Sequence, residues 1–219
     1  MVIPSSVSTI GLNVFGGCAN LIAFNVDSDN AAYSSVGGVL FNKNQTVLVE
    51  FPSGKSGSYP IPIGVTEIGA EAFVGCTKLN SITVPKSVAS IGAFAFEICT
   101  ALTNIYFEGN FPSCDITTFD DVNSLTLYVL PGATWTTTLP KVLWLPQISS
   151  SSWSGPQTNQ FGFNIDWARS QKVVVEASTN LTELAWTPVA TNTLTSGSSV
   201  FSDDQSTNYP GRFFRVRSP

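Results

Sequence analysis

Apolar residues recur along the first half of the chain in one frame that appears three times. Each copy has an Ile-Gly pair, then a phenylalanine, a cysteine and a leucine, and it ends in two apolar positions spaced by two. The copies occupy residues 10–26, 68–84 and 91–107. The second and third are offset by 23 residues at every position, and the first and second by 58. A fixed period in the twenties predicts a solenoid, in which stacked coils share one continuous core.

Alternation within each copy predicts a short strand. In residues 79–84, Ile82 and Val84 are two positions apart and point to one side, and Pro85 ends the pairing because it has no N–H to donate. Segment 70–73 is typical of one short helical turn whose phenylalanine fills the inside of the coil. Strands of successive coils should lie about 4.8 Å apart in a parallel sheet. The predicted fold is an α/β-type repeat solenoid, mostly β, with parallel strands, short helical turns and about four coils.

The frame resembles the BspA-type leucine-rich repeat of bacterial surface proteins. The resemblance rests on segments 3–11, 61–69 and 84–92, each followed by its phenylalanine and cysteine. It covers residues 3–110 and extends loosely to about residue 146. It implies a leucine-rich repeat fold. It also implies a secreted or surface-attached protein, since known members of that family are mostly of this kind and several are linked to adhesion.

The longer offset between the first two copies indicates an insertion. Within residues 37–51, two apolar runs flank a polar Asn-Lys-Asn-Gln turn, which is the pattern of a β-hairpin. We expect a widened coil that keeps the stack in register.

The period degrades after residue 112, where a solenoid cap is expected. Residues 124–132 form a predicted strand that ends in a turn. Bulky apolar cover should follow from Trp135, Val142, Leu143 and Trp144. We therefore assign residues 1–146 to the solenoid with its C-terminal cap.

The rest of the chain has a different pattern. Residues 147–158 are rich in Ser, Gly and Pro and predict a linker. Apolar residues then alternate and share one strand face: Phe161, Phe163, Ile165 and Trp167. Further strands are indicated at 172–177, 186–189, 199–201 and 212–217. Residues 159–219 are thus predicted to form a small antiparallel β-sandwich, and they resemble C-terminal modules found on many bacterial extracellular proteins.

Composition bears on the class of function. The net charge is −5, which argues against nucleic acid as a partner, because phosphate binding needs clustered Lys and Arg. No apolar run approaches the roughly 18 residues of a membrane span, and the N-terminal residues lead us to expect no signal peptide in this chain. Only 11% of residues are charged, so Ser, Thr and Asn solvate the surface, as is common in extracellular bacterial β-proteins. Met1 leads straight into the first repeat, so we expect the chain to begin at a gene-fragment boundary.

Residues suited to catalysis or metal binding are sparse. The absence of histidine removes Ser-His-Asp and Cys-His pairs and, with no CxxC, argues against zinc. The Asp pairs at 120–121 and 203–204 are expected to be solvated turn residues, because a glycosidase needs carboxyls that converge across one bond. Residues 27–30 open like a calcium loop, but the twelfth position, Gly38, is not glutamate, so a weak surface calcium site is only the alternative. We predict no catalytic residues, no metal, no cofactor and no enzymatic activity.

Three of the four cysteines occupy one repeat position. Cys18, Cys76 and Cys99 are expected to stack in a column as small buried core residues. A Cys76–Cys99 disulfide is the alternative, because adjacent coils bring the two close. Cys114 lies outside the frame and has no evident mate.

The binding surface is expected on the strand column of the solenoid, between the inward anchors. The candidate ligand-binding residues are Asn25, Asn80, Thr83, Thr103 and Tyr106. The alternative is that these side chains only solvate the sheet. In the module, Trp153 and Trp186 are expected to pack in the core or between domains, with sugar stacking as the alternative.

These observations predict a secreted or cell-surface bacterial binding protein. The favoured role is adhesion or protein–protein interaction through the solenoid sheet face, with a protein or glycan ligand on a host or neighbouring cell surface. The alternatives are a carbohydrate-binding or a purely architectural accessory region of a larger secreted protein. The sequence indicates no particular oligomeric state.

Overall fold

The computed structural model describes residues 1–122, 125–136, 141–149, 161–182, 185–203, 205 and 211–219, in two compact units, Met1–Val142 and Leu143–Pro219. The strands up to the boundary between the units are β1 (Val2–Ile3), β2 (Asn25–Val26), β3 (Tyr33–Val36), β4 (Val39–Asn42), β5 (Val47–Glu50), β6 (Gly57–Pro60), β7 (Glu67–Ile68), β8 (Leu79–Val84), β9 (Ser90–Ile91), β10 (Asn104–Phe107), β11 (Ser113–Cys114), β12 (Thr126–Val129) and β13 (Lys141–Leu143). The strands of the second unit are β14 (Gln147–Ser149), β15 (Phe161–Asp166), β16 (Gln171–Ser178), β17 (Thr187–Leu194), β18 (Ser198–Asp203) and β19 (Phe213–Arg217).

The first unit is a mostly β solenoid, which confirms the predicted fold class, but it has about five turns where about four coils were expected. One sheet has the order β13-β12-β10-β8-β6, and β6, β8, β10 and β12 run parallel. Ile82 lies opposite Ile105, so the 23-residue sequence offset is also the strand register. The second sheet has the order β11-β9-β7-β5-β4-β3, while β1 and β2 form a parallel pair of their own. Strands β4 and β5 are antiparallel, which confirms the inserted hairpin.

The repeat residues fill the inside of the coils. The fully buried phenylalanines Phe51, Phe73 and Phe96 stack ring upon ring, and Phe119 continues the stack. This aromatic column explains the phenylalanine of the second and third copies. In the first copy Phe15 is half-buried, and its ring meets Phe24 at 5.0 Å in a separate apolar cluster with Ile3 and Leu40. From Phe51 to Phe119 each successive coil contributes one ring, so this part of the core is continuous from coil to coil.

The segment predicted to be a helical turn is a run of hydrogen-bonded turns. The amides of Glu71 and Phe73 donate to the carbonyls of Ala93 and Ala95 in the next coil, at 3.0 and 2.8 Å. A helix would instead bond each amide to a carbonyl four residues earlier. Glu71 also has a positive φ of 61°. Among the described residues, the helical element is the 3₁₀ turn Ile116–Phe119.

The cysteine column is shorter than the repeat predicts. Cys76 and Cys99 are buried free thiols, and the Sγ of Cys99 donates to the carbonyl of Phe73 at 3.0 Å. Cys18 is exposed, which corrects the expectation of burial. Its coil lies at the end of the stack and has a neighbouring coil on one side only within the described residues.

The C-terminal end of the solenoid differs in part from the predicted cap. Trp135 packs on Phe111, with ring centroids 4.1 Å apart, as expected of a cap residue. Val142 and Leu143 are 48% and 56% exposed, so their predicted role as apolar cover is wrong. Both lie in β13, the outermost strand of its sheet, where no side chain is buried. Trp144 belongs to the second unit, where its carbonyl accepts from the indole of Trp167 at 2.7 Å.

The second unit consists of two antiparallel sheets, β14-β15-β18 and β17-β16-β19. Their inner sides meet through an aromatic cluster that includes Phe163, Phe201 and Phe214. The small antiparallel β module is therefore present as predicted. Residues 147–149 of the predicted linker form β14, and the remainder of that linker lies outside the described residues.

One acidic residue of the module contradicts the sequence prediction. Asp203 is 3% exposed and pairs with Arg212 at 2.7 Å, so it is not a solvated turn residue. Burial of a carboxylate requires such a charged partner. Asp204 lies outside the described residues, whereas Asp120 and Asp121 are exposed, as expected.

Candidate binding face of the solenoid

The candidate site is the outward side of the four parallel strands β6, β8, β10 and β12 of the five-stranded sheet, here called the sheet face. Two rows of side chains cross it, because residues opposite one another on paired strands point to the same side. The sheet face consists of Ser58, Ser81, Asn104 and Thr126 in one row and Pro60, Thr83, Tyr106 and Tyr128 in the other. None of these eight residues is charged.

Strict alternation positions the sheet face. In β10, Ile105 and Phe107 are buried, while Asn104 and Tyr106 are half-buried on the other side. The same pattern recurs in β12. The buried row fixes the register, since a slip by one residue would move every inward side chain to solvent. The outward side chains are consequently held on a regular, well-anchored surface.

Tyr106 and Tyr128 form an aromatic ladder on the sheet face. They lie directly opposite one another on β10 and β12, with ring centroids 4.6 Å apart and planes at 16°. Partial burial, and then the neighbouring Tyr128, raise the pKa of the Tyr106 hydroxyl. Tyr106 therefore remains a neutral hydrogen-bonding group at physiological pH.

Four of the five candidate residues lie in or next to the strands of the sheet face. Thr83 lies opposite Tyr106, and both the amide and the hydroxyl of Thr103 donate to the carbonyl of Asn80, at 3.0 and 3.3 Å. Asn25 is exposed, but it lies in β2, which pairs with β1 in a separate sheet. The inserted hairpin follows β2 in the chain and precedes the first strand of the sheet face.

Tyr128 is a residue of the sheet face that the repeat frame does not mark. It follows Tyr106 by 22 residues instead of 23, because the period has already degraded in β12. The signal that could have found it is the alternation in residues 126–129, where Tyr128 is two positions from Thr126 and out of phase with Leu127.

The calcium-like stretch at residues 27–30 has a structural role. The carbonyls of Ser28 and Asn30 accept hydrogen bonds from the ammonium group of Lys43, at 3.0 and 2.6 Å. The fully buried Asn30 amide donates to the carbonyls of Pro4 and Val7. The cationic group bound to these carbonyls is thus the ammonium group of a lysine of the same chain. Within the described part of the chain, no three His, Cys, Asp or Glu side chains are grouped as metal ligands would be.

In the module, the indole of Trp186 is half-buried, and the guanidinium of Arg215 lies 4.5 Å from its ring centroid. One ring face is therefore covered by an arginine of the same chain. Trp153 lies outside the described residues.

Comparison of the sequence with known families gives one match. Residues 1–58 and 50–139 match a model of the BspA type leucine rich repeat region, in six copies. The chain belongs to the BspA-type leucine-rich repeat family. No curated protein matches this BspA-type chain significantly. Within the part that the structure describes, no helix is both long and apolar enough to span a bilayer.

Solved structures of three bacterial proteins are similar to this BspA-type chain. A leucine-rich repeat protein from Eubacterium ventriosum is 30% identical over 59% of this chain and 41% of its own, with a TM-score of 0.44. The pneumococcal vaccine antigen PcpA is 25% identical over 58% and 38%, and a leucine-rich cell surface protein from Faecalibacterium prausnitzii is 26% identical over 58% and 41%; both have a TM-score of 0.46. The aligned part of the chain thus spans about two fifths of each of these proteins.

Proposed function

We propose that this BspA-type chain is a non-enzymatic binding protein of an extracellular or cell-surface setting, and that the sheet face binds a protein partner, as in adhesion. The observation that carries the proposal is the half-exposed ladder of Tyr106 and Tyr128 on a row of uncharged side chains. Parallel sheets are usually covered on both sides. A parallel sheet whose outward row is aromatic and only half-buried has the character of a recognition surface.

Tyrosine suits such a surface because it combines a large apolar ring with a hydroxyl and has few rotatable bonds. Tyrosine is enriched at the energetic centres of protein interfaces. Stacking on Tyr128 further limits the rotamers of Tyr106, so little side-chain entropy remains to be lost on binding. The ladder therefore favours a contact of defined geometry.

The ladder geometry favours a protein over a sugar ligand. The centroid separation of 4.6 Å is close to the spacing between strands, so the ring normals run along the sheet and the ring edges point outward. Sugar platforms need an open aromatic face, whereas here the two facing ring surfaces are occupied by each other. Edges and hydroxyls are the groups that a polypeptide partner can contact by packing and hydrogen bonding.

Composition supports a binding role outside the cell. The chain has no histidine and only 11% charged residues, and the matched family model describes a repeat region and no catalytic one. The sheet face has no charged residue, so the association should depend weakly on salt.

The test is a binding screen of the intact chain against a panel of extracellular matrix proteins and a glycan array. We expect a protein ligand whose binding is lost in Y106A/Y128A and retained in Trp186→Ala. A glycan ligand that depends on Trp186 would instead support carbohydrate binding by the module. Binding that neither variant alters would contradict the sheet face as the site.

A further inference from the structure

A second surface of interest lies on the β17-β16-β19 sheet of the module. Glu176 lies opposite Arg215, and Ser178 lies opposite Phe213, so these side chains share one side. Alternation along β16 and β19 adds Lys172 and Arg217 to the same side. We call this side the arginine face, formed by Lys172, Glu176, Phe213, Arg215 and Arg217. The opposite side of the sheet carries Phe214 into the aromatic core.

One buried carboxylate orients both arginines. The side chain of Glu176 is 6% exposed and accepts from the Nε atoms of Arg215 and Arg217, at 2.7 and 2.8 Å. Each arginine contacts Glu176 through Nε alone, and Nη1 of Arg217 also donates to the carbonyl of Ser218 at 2.9 Å, which leaves its Nη2 for a further acceptor. The two arginine side chains are 49% and 44% exposed. Among the described residues, the Nη atoms of Arg215 have no hydrogen-bond partner, while Trp186 supports its guanidinium at 4.5 Å.

The arginine face is positively charged in a chain of net charge −5. Residues 143–219 contain five Lys and Arg residues, and three of them lie on this face. Glu176 is the carboxylate that opposes them there. Guanidinium forks held in place bind carboxylates more strongly than mobile cations do, because less side-chain entropy is lost.

The backbone of β19 offers a second kind of contact. In the described sheet β19 is the outer strand, with β16 on its inner side. An outer strand presents backbone N–H and C=O groups that an extended peptide can pair with. The side chains of such a peptide alternate, so every second one would lie beside Arg215 and Arg217. On the other edge of β19, Glu176 of the neighbouring strand β16 already lies beside Arg215 in the same way.

We propose that β19 pairs with an extended acidic segment of a partner protein. Carboxylates at alternate positions of that segment accept hydrogen bonds from the Nη atoms of Arg215 and Arg217, while apolar residues at its end contact Phe213, which is 43% exposed. An acidic polymer without a peptide backbone fits less well, because it would leave the strand edge and Phe213 unused. The surface is distinct from the sheet face of the solenoid.

The test is fluorescence anisotropy of a labelled peptide of alternating Glu and Val, with Leu in place of one terminal Glu so that it can contact Phe213, titrated with the intact chain. We expect binding that weakens as salt is raised, and R215Q/R217Q should weaken it at least about tenfold. The matched control K86Q/K141Q removes two exposed cations from elsewhere in the chain and should leave the affinity unchanged. Equal affinities of wild type and R215Q/R217Q would overturn the proposal.

A second set of probes separates strand pairing from simple charge attraction. A peptide of the same composition with its Glu residues in one block, and inorganic polyphosphate, should both bind more weakly than the alternating peptide. Tighter or equal binding of either would overturn the proposal in favour of a general polyanion surface. If circular dichroism shows that R215Q/R217Q is unfolded, R215K/R217K is measured instead. It keeps the charge but lacks the fork, so an affinity equal to wild type would also contradict the proposal.

Discussion

The rings of Phe73 and Phe96 stack with centroids 5.1 Å apart and planes at 26°, and Phe51 and Phe73 have the same two values. The spacing and the tilt between the stacked rings of successive coils are therefore the same at these two positions. Phe119 extends the column at 5.5 Å and 6°. Because Phe73 and Phe96 each touch the ring of the coil before and the ring of the coil after, removal of either one disturbs two coil–coil contacts.

Phe73→Ala should destabilise the solenoid by about 3–5 kcal/mol, because it leaves a cavity in the middle of this column. The measurement is urea unfolding followed by circular dichroism. Tyr106→Ala serves as the control, since its ring lies on the outward side, and it should destabilise the fold by about 1 kcal/mol. Equal losses in the two variants would contradict the assignment of inward and outward sides.

The repeated Ile-Gly pair has a packing role that substitution can test. A Cβ on Gly92 would lie 2.4 Å from the backbone nitrogen of Ala70 in the preceding coil, whereas one on Gly11 would meet nothing closer than Val14 at 3.4 Å. Neither glycine has a positive φ, so the requirement is close approach and not backbone conformation. Gly92→Ala should destabilise by about 1–3 kcal/mol, and Gly11→Ala should be neutral or slightly stabilising. Thermal unfolding of both variants distinguishes this account from one in which the glycine is needed for a turn.

The sequence predicted the solenoid because its determinants are local and periodic. The apolar positions of one coil fix its inward side, and the constant offset fixes which residues of the next coil lie opposite, as Ile82 and Ile105 do. The sheet face follows from the same alternation. The repeat alone therefore assigns Thr83 and Tyr106 to the sheet face.

The features that sequence patterns did not predict depend on contacts that no period in the sequence marks. The partner of Asp203 is Arg212, and no period links the two. Asn25 is separate from the sheet face because β2 pairs with β1, and the repeat frame does not show which strand β2 pairs with. Burial of Cys18 would need a second neighbouring coil, which the repeat position alone does not supply.

The thiols should differ sharply in reactivity. Cys18 is exposed, whereas the hydrogen bond with the Cys99 thiol and burial raise the pKa of Cys76, which disfavours the reactive thiolate. Iodoacetamide labelling followed by mass spectrometry should therefore modify Cys18 first and Cys114 more slowly. Cys76 and Cys99 should react only after unfolding in urea. Labelling of Cys99 in the folded protein at the rate of Cys18 would contradict the structure.

Stability of the solenoid should fall as pH rises, because of Glu50. Burial, and then the charge of Glu71, raise the pKa of Glu50 from 4.5 to about 8. Between these values the folded chain keeps a proton that the unfolded chain has released, so the free energy of unfolding decreases with pH. Below about pH 4.5 and above about pH 8, the ionisation of Glu50 no longer changes the free energy of unfolding with pH.

Glu50→Gln isolates this effect because the amide stays neutral at every pH. We expect the variant and wild type to be similarly stable near pH 5, and the variant to be more stable by a few kcal/mol at pH 9. Urea midpoints measured at several pH values give the comparison. Unfolding curves that shift in parallel for the two proteins would show that Glu50 is not a buried acid.

The most direct test of the sheet face as the binding surface is hydroxyl-radical footprinting of the chain with and without a protein ligand captured in the screen. The proposed function requires protection of Tyr106 and Tyr128 on binding, with Phe161 of the module, which is 51% exposed, as the internal reference. Protection confined to the tyrosine ladder would support recognition by the solenoid. Unchanged oxidation of both tyrosines in a saturated complex would contradict it.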